Sequence, residues 1–215
     1  MNKLLTMGKI KNILFDFGGV IITLDQPQAV RHFKEIGLAD AEQRLDPYRQ
    51  SGIFGDLEVG KINAEQFRSE LSRMIGREVT YDECMYAWKG YVGDLPKRNL
   101  DILRKLRAEG YRLILLSNTN PYMMGWAMSD GFDGEGHSLE HYFDAVYMSY
   151  KCGVMKPDER FFRHVLDSEN IVPQETLFLD DGQRNVEAAE RFGIRTFRPD
   201  NGTDWTEEIY KYLTE

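Results

Sequence analysis

Hydrophobic positions along the chain follow two periods, and the period changes twice. Ile13, Leu14, Phe15 and Phe17 surround one carboxylate, Asp16, between Lys11 and Gly18-Gly19. A short apolar run without alternation, bounded in this way, predicts a fully buried strand. After Asp25-Gln26-Pro27 the period is helical as far as about Leu95. Ala29, Val30, Phe33 and Ile36 form one stripe, closed by Gly37. Phe67, Leu71, Met74 and Ile75 form a second, begun by Asn63 with Gln66 and stopped by Gly76. Cys84, Trp88 and Tyr91 follow the capping-box pair Thr80 and Glu83. No strand is expected in this block, which is long enough for a small helical bundle.

Strand patterns return after Pro96. A helix carrying Leu100, Leu103 and Leu106 runs to Gly110, and a strand over 112–117 stops at Ser117-Asn118-Thr119-Asn120. Residues 121–141, rich in Met and Gly, read as helix and loop. Strands over 145–149, 176–180 and 194–197 are separated by two helices. One starts at Pro157 and carries Phe161, Phe162, Val165 and Leu166; the other ends at Gly193. Trp205, Ile209 and Leu213 mark a final helix. Strands alternating with helices predict an α/β fold, a doubly wound parallel sheet with right-handed crossovers. The helical block is an insertion after the first strand.

The 215 residues suffice for one large domain, or for a domain with a smaller insert. A hydrophobic fraction of 42% implies a packed core and excludes global disorder. The net charge of -8 argues against nucleic acid as a partner, because a phosphate backbone needs Lys/Arg clusters. It leaves room for a small phosphorylated metabolite, which needs only a cation or two. Cys84 and Cys152 stand outside any metal-ligand spacing and are expected as free thiols in a reducing cytosol. The first ten residues contain no apolar core of a secretory signal, and no run approaches the ~20 apolar residues of a spanning helix. The expectation is a soluble cytoplasmic protein without a membrane partner.

The candidate chemistry gathers at strand ends. Asp16, Ser117 and Asp180-Asp181 lie at or just past the carboxyl ends of strands that a parallel sheet brings to one edge. Open α/β sheets place their ligands at that edge. Adjacent carboxylates such as Asp180 and Asp181 repel, and a buried pair needs a cation. With Asp16 they make a hard oxygen set suited to Mg²⁺. Lys156, in Gly153-Val-Met-Lys156-Pro157, can set a compact positive charge on a phosphate or a carboxylate. The Ser117 hydroxyl, with amides of Asn118, can donate to phosphoryl oxygens.

Plainer roles fit the same residues one at a time. Asp16 also fits a turn before two glycines, Ser117 a cap for the next helix, Asp180-Asp181-Gly182 a turn with an N-cap, and Lys156 an ordinary surface lysine. The four histidines do not cluster: His32 and His164 belong to helix surfaces, His137 and His141 to the 121–141 stretch. None is expected to be catalytic. Trp88 and its aromatic neighbours are expected to form the core of the insert rather than a sugar platform.

Taken in order, Asp16-x-Gly18-Gly-Val, Leu116-Ser117-Asn118, Lys156-Pro157 and Leu179-Asp180-Asp181 resemble the haloacid dehalogenase superfamily of hydrolases. The likeness is greatest to its bacterial sugar phosphatases active on glucose 1-phosphate, and it covers essentially the whole chain. It implies a Rossmann-like core, residues 1–22 and 96–215, with a helical cap, residues 23–95. It further implies that Asp16 is a nucleophile taking the phosphoryl group as an aspartyl-phosphate. Mg²⁺ would be held by Asp16, the carbonyl of Gly18 and Asp181, with Asp180 direct or through water. Ser117 and Asn118 would bind phosphoryl oxygens, and Lys156 would balance their charge.

One departure is plain. Most phosphatases of this superfamily carry an acid–base Asp two residues after the nucleophile, and here that residue is Gly18. General acid–base help is worth about 10²–10⁴-fold, so a good leaving group such as a glycosyl phosphate, or a cap residue, is expected to cover the gap. A dehalogenase is disfavoured because dehalogenation at carbon needs no metal, and a mutase because the acid–base Asp is missing. A phosphate-binding protein without turnover is the remaining alternative.

Overall fold

The computed structural model describes residues 8–46 and 50–214; residues 1–7, with most of the stretch read for a secretory signal, lie outside them, as do 47–49 and 215. In chain order, β1 (Asn12–Phe15) is followed by β2 (Thr23–Leu24) and then by α1 (Gln26–Glu35), α2 (Ala41–Arg44), α3 (Gly52–Glu58), α4 (Ala64–Ile75) and α5 (Tyr81–Lys89). Next come β3 (Val92–Asp94), α6 (Lys97–Ala108), β4 (Arg112–Ser117), α7 (Pro121–Ala127), β5 (Ala145–Met148) and α8 (Ser149–Cys152). The chain then runs through α9 (Glu159–Glu169), β6 (Thr176–Leu179), α10 (Gln183–Arg191), β7 (Arg195–Phe197) and α11 (Ile209–Thr214).

Five strands form one parallel sheet in the order β5-β4-β1-β6-β7. The chain steps outward from β1 through β4 to β5, then returns to the other side of β1 for β6 and β7. The carboxyl ends of β4, β1 and β6 therefore lie side by side at the switch point, where open sheets leave a crevice. Register is regular: Phe15 stands opposite Leu115 on one side and Leu179 on the other.

Side chains alternate between the two faces. Leu14, Ile114, Leu116 and Phe178 pack with Phe161, Phe162 and Val165 of α9 and Ala188 and Ala189 of α10. Ile13, Phe15, Leu113, Leu115, Leu177 and Leu179 pack with Leu103 and Leu106 of α6 on the other face. Both faces are covered, so a run apolar at nearly every position is what β1 requires.

The second face is continuous with the interior of the inserted helices. There Phe33, Phe54, Phe67 and Trp88 stack edge to face and tilted at 5.4–5.9 Å between ring centres. Trp88 is thus part of a packed aromatic core, as expected. The expected capping box of Thr80 with Glu83 is present, and the helix start read at Asn63 and Gln66 is a capping box as well. The link to the sheet domain runs through α7, where Tyr122 packs against Phe67 at 5.7 Å and donates its hydroxyl to the carbonyl of Ala64 at 2.6 Å.

Several elements differ from their sequence expectations. β1 ends at Phe15, because after Asp16 the chain turns and Gly19 takes a left-handed conformation, φ 76°. The block expected to hold no strand is closed at its neck by an antiparallel ribbon of β2 and β3. Its strands have two and three residues, drawn from segments some 70 positions apart, so no local period announces them. Met74 is exposed, at the edge of the stripe rather than inside it. The helix expected from Pro157 starts at Glu159, with the Asp158 side chain accepting from the amide of Arg160. Ser149 opens α8 instead of ending β5, and Trp205 precedes α11. Residues 121–141 hold α7 and a 3-10 turn at Leu139–Tyr142. Cys84 and Cys152 are free thiols.

Tyr122→Phe deletes the one hydroxyl that ties α7 to α4 while keeping the ring. Urea unfolding is expected to show a loss of about 1 kcal/mol with an unchanged circular dichroism spectrum. An unchanged unfolding midpoint would show that this bond does not hold the insert.

Candidate active site

The site is built on the three central strand ends. Asp16 follows β1, and its amide extends the ladder by donating to the carbonyl of Leu179 at 2.8 Å. Its Oδ1 accepts from the amide of Phe17 at 2.7 Å and lies 2.8 Å from Lys156 Nζ. Its Oδ2 takes no hydrogen bond among the described residues. The same ammonium lies 2.6 Å from Asp180 Oδ2, and the side chains of Lys156 and Asp180 are both 0% exposed. Lys156 is therefore no surface lysine.

Two side chains fix this arrangement. Asn118 Nδ2 donates to the carbonyl of Lys156 at 2.9 Å, and its Oδ1 accepts from the amide of Lys156 at 2.8 Å. That reciprocal pair holds the lysine loop against the end of β4. It also spends the Asn118 side chain, so the backbone amide is what Asn118 has left to offer a phosphoryl group. Asp180 accepts from the amide of Gly182 at 2.8 Å and from Asn185 Nδ2 at 2.9 and 3.1 Å. With Lys156 added, its oxygens are saturated by protein donors. This makes Asp180 a holder of Lys156 and leaves direct cation binding to its neighbours.

Asp181 is the opposite case. Its Oδ2 is buried without a hydrogen-bond partner. A Cβ at Gly19 would fall 2.2 Å from that atom, so the left-handed glycine is what lets the chain pass the carboxylate. Asp16, Asp180 and Asp181 have carboxylate oxygens within 4.8 Å of one another. Three carboxylates face one ammonium, and an orphaned buried oxygen among them fits a hard divalent cation. The residues that fit are Asp16 and Asp181 with the backbone at Gly18, and Asp180 behind them.

The electrostatics agree. Burial pushes Asp16 up to about 8, against the pull of Lys156 and with the push of Asp180 and Asp181. Burial, and then Asp180, push Asp181 up to about 6. Burial works to lower the Lys156 ammonium, but Asp16 and Asp180 outweigh it and hold its pKa above the ordinary lysine value.

Ser117 is 1% exposed, and its hydroxyl makes only a long 3.4 Å contact to the carbonyl of Asn118. The cap of α7 is Asn120, which accepts from the amides of Tyr122 and Met123, so neither Ser117 nor Asn118 is a helix cap. Likewise α10 begins at Gly182 without a side-chain cap, so Asp180 and Asp181 are not one either. Asp16, Gly18, Ser117, Asn118, Lys156 and Asp181 all line one cavity of about 920 Å³. The inserted block contributes Asp46, Gln50, Glu58, Trp88 and Tyr91 to the same cavity, and Arg198 and Arg184 line it from the core. Glu58 was not singled out in the sequence. Of the histidines, His164 is exposed and none lines the cavity.

A cavity at the switch point of a doubly wound sheet, lined by Asp16, Asp181 and a buried lysine that Asp180 holds from behind, fits a hydrolase of phosphoryl or related groups. The chain belongs to the haloacid dehalogenase-like hydrolase family, whose sequence pattern matches residues 10–193. It is 46% identical over 200 residues to the D-ribitol-5-phosphate phosphatase of Bacteroides thetaiotaomicron, covering 93% of this chain and 97% of that one. A solved predicted hydrolase of this family from Porphyromonas gingivalis superposes with a TM-score of 0.91 at 45% identity, over 97% of this chain and 100% of that one. A family enzyme from B. thetaiotaomicron, solved with magnesium and inorganic phosphate, gives 0.85 at 36% identity, over 93% and 99%.

The raised carboxyls set a sign for stability. Carboxyls whose folded pKa exceeds the unfolded value stabilise the fold at low pH, and this is lost as pH rises through about 6 for Asp181 and about 8 for Asp16. A cation that neutralises them must stabilise more where they are ionised. In EDTA the melting temperature should fall between pH about 5 and about 8.5, and the rise given by Mg²⁺ should grow over that interval. A Mg²⁺ shift of the same size at both ends refutes the assignment of these carboxylates to the cation.

Proposed function

We propose that this protein is a Mg²⁺-dependent phosphatase of small phosphomonoesters, sugar or polyol phosphates, with Asp16 as its nucleophile. The observation that carries the reading is the buried Lys156 ammonium between Asp16 and Asp180, beside the unpartnered oxygen of Asp181. Such a floor presents an anion to an electrophile and positive charge to a phosphoryl group at once. The relatives support the substrate class: one is named for D-ribitol 5-phosphate, and another was solved with magnesium and phosphate. Ribitol 5-phosphate is an ester of an open-chain primary alcohol. The favoured substrate is accordingly an alkyl phosphate of a polyol or sugar, rather than the glycosyl phosphate expected from the leaving-group argument.

In this reading Asp16, held at Oδ1 by Lys156 and Phe17, attacks phosphorus through Oδ2, which no protein donor occupies. The phosphorus–oxygen bond to the alcohol breaks, and water then hydrolyses the aspartyl-phosphate. Lys156 offsets charge on the transferring group, and Ser117 donates its free hydroxyl to a phosphoryl oxygen. Asn118 positions Lys156 and contributes its amide. Asp16, Asp181 and the Gly18 carbonyl would hold Mg²⁺, which would supply further positive charge where the phosphoryl group sits. The inserted helices, residues 23–95, act as a cap that selects the alcohol half of the substrate, with Asp46, Gln50 and Tyr91 offering polar atoms for hydroxyls.

Asp16→Asn keeps the shape of the side chain but removes the anion that attacks. Turnover of pentitol and sugar phosphates should fall by at least about 10³-fold, the scale of losing a covalent nucleophile. Rapid acid quench of the wild type should trap phosphate on the peptide containing Asp16. A mass-verified Asp16→Asn protein that keeps a tenth of wild-type activity would remove Asp16 from this role. Phosphate bound with no turnover by wild type in Mg²⁺ would favour a binding protein instead.

A further inference from the structure

The reaction needs a proton for the departing alkoxide, and the residue two places after Asp16 cannot give one. Gly18 is also packed: a Cβ there would come 3.0 Å from Leu24 Cδ2 and 3.3 Å from Cδ1. Leu24, itself a cavity residue, fills the room in which a longer side chain would start. The proton must come from elsewhere in the cavity.

The lining carboxyls narrow the choice. Asp16 and Asp181 belong to the nucleophile and the cation. Asp158 is ion-paired to Arg160 at 2.6 Å and caps α9. Asp46 stands with Gln50 and Tyr91, both of which donate to its carbonyl, among the groups that meet the hydroxyls of the substrate. Glu58 remains. Its carboxylate has no hydrogen-bond or ion-pair partner among the described residues, yet it lines the same cavity and feels the charge of Asp16.

The placement of Glu58 is fixed by backbone. It is the last residue of α3, and its carbonyl accepts the Ser149 hydroxyl at 2.6 Å. The same hydroxyl oxygen accepts from the amide of Thr119 at 2.9 Å, two residues past Ser117. Gly60 then passes so close to the core that a Cβ on it would meet the carbonyl of Tyr150 at 2.2 Å. This clamp joins the insert to the loop of Ser117 and Asn118 and sets the position of Glu58 against it.

We propose that Glu58 is the general acid and base of this enzyme, the group that position 18 lacks; the proposal rests on the phosphatase reading above. In the first step Asp16 Oδ2 bonds to phosphorus and the bond from phosphorus to the alcohol oxygen breaks. The electron pair stays on that oxygen, which takes the proton of the Glu58 carboxyl and leaves as the alcohol. In the second step water attacks the same phosphorus and gives one proton to the Glu58 carboxylate. The bond from phosphorus to Asp16 breaks, Asp16 regains its carboxylate, and inorganic phosphate departs. Burial first, and then Asp16, push Glu58 up to about 8, so that the protonated acid is present at neutral pH.

Glu58→Gln tests this with three esters that carry no hydroxyls: propyl, phenyl and p-nitrophenyl phosphate. These differ in how badly the leaving oxygen needs a proton, and kcat/KM reports the step that releases it. The variant should lose about 10²–10⁴-fold on propyl phosphate and less than tenfold on p-nitrophenyl phosphate, with phenyl phosphate between. With p-nitrophenyl phosphate it should also give a burst of p-nitrophenol, because the second step loses its base. Circular dichroism and the Mg²⁺-induced melting shift verify that the variant folds and binds metal. An equal loss on all three esters would make Glu58 a positioning residue, and no loss on propyl phosphate with a raised KM on ribitol 5-phosphate would make it a hydroxyl binder; either overturns the proposal. A wild type inactive on every ester would instead overturn the phosphatase reading itself.

Discussion

The structure depends on one buried ammonium. Lys156 has no exposed side-chain surface, and a lone charge in that position would be driven to neutrality by its desolvation. Asp16 and Asp180 keep it charged, and in return it keeps two carboxylates of different strands within reach of one another. None of the three comes from the same element, so the ion cluster joins the end of β1, the end of β6 and the loop after α8. Removing one partner from such a cluster leaves an uncompensated charge, which is strongly destabilising when buried. The surrounding hydrogen bonds serve the same end. Asn118 fixes the backbone of Lys156, while Gly182 and Asn185 fix Asp180.

That cluster also separates two carboxylates adjacent in sequence. Asp180 is saturated by protein donors, whereas Asp181 Oδ2 has none. One member of the pair orients the lysine, and the other keeps an oxygen that a cation would meet. Adjacent residues past the end of a strand point in different directions, which is how a two-residue motif performs two functions.

The second constraint is the clamp between the inserted helices and the core. Ser149 holds the carbonyl of Glu58 and the amide of Thr119 with one hydroxyl, and Gly60 allows the approach to Tyr150. Tyr122 adds a buried hydrogen bond to Ala64 from the other side. Side-chain hydroxyls of Ser149 and Tyr122 thus join the inserted helices to the core through backbone atoms. The antiparallel ribbon of β2 and β3 closes the neck, so the insert leaves and rejoins the core at one place.

The sequence by itself determined the sheet and its chemistry. Fully buried parallel strands must be apolar at nearly every position, so 12–15, 112–117 and 176–179 were legible, and so were the polar residues at which they stop. Helix starts are local, and those at Asn63 and Thr80 were both visible. Asp16, Ser117 and Asp181 lie where strand ends put them, and Lys156 lies in the loop after α8. What only the tertiary structure decided are the relations between distant segments. The ribbon pairs segments some 70 positions apart, and the Asn118 side chain turns to the Lys156 backbone because a loop 38 residues later packs beside it. Asp180 and Asp181 diverge because one finds Lys156 and Asn185 and the other keeps an oxygen, Oδ2, without a partner. Glu58 has no local signal: a helical glutamate reads as surface until the fold sets it, half-buried and unpartnered, in the cavity of Asp16. Period and capping depend on near neighbours along the chain, whereas burial and partnership of a charge depend on what folding brings from afar.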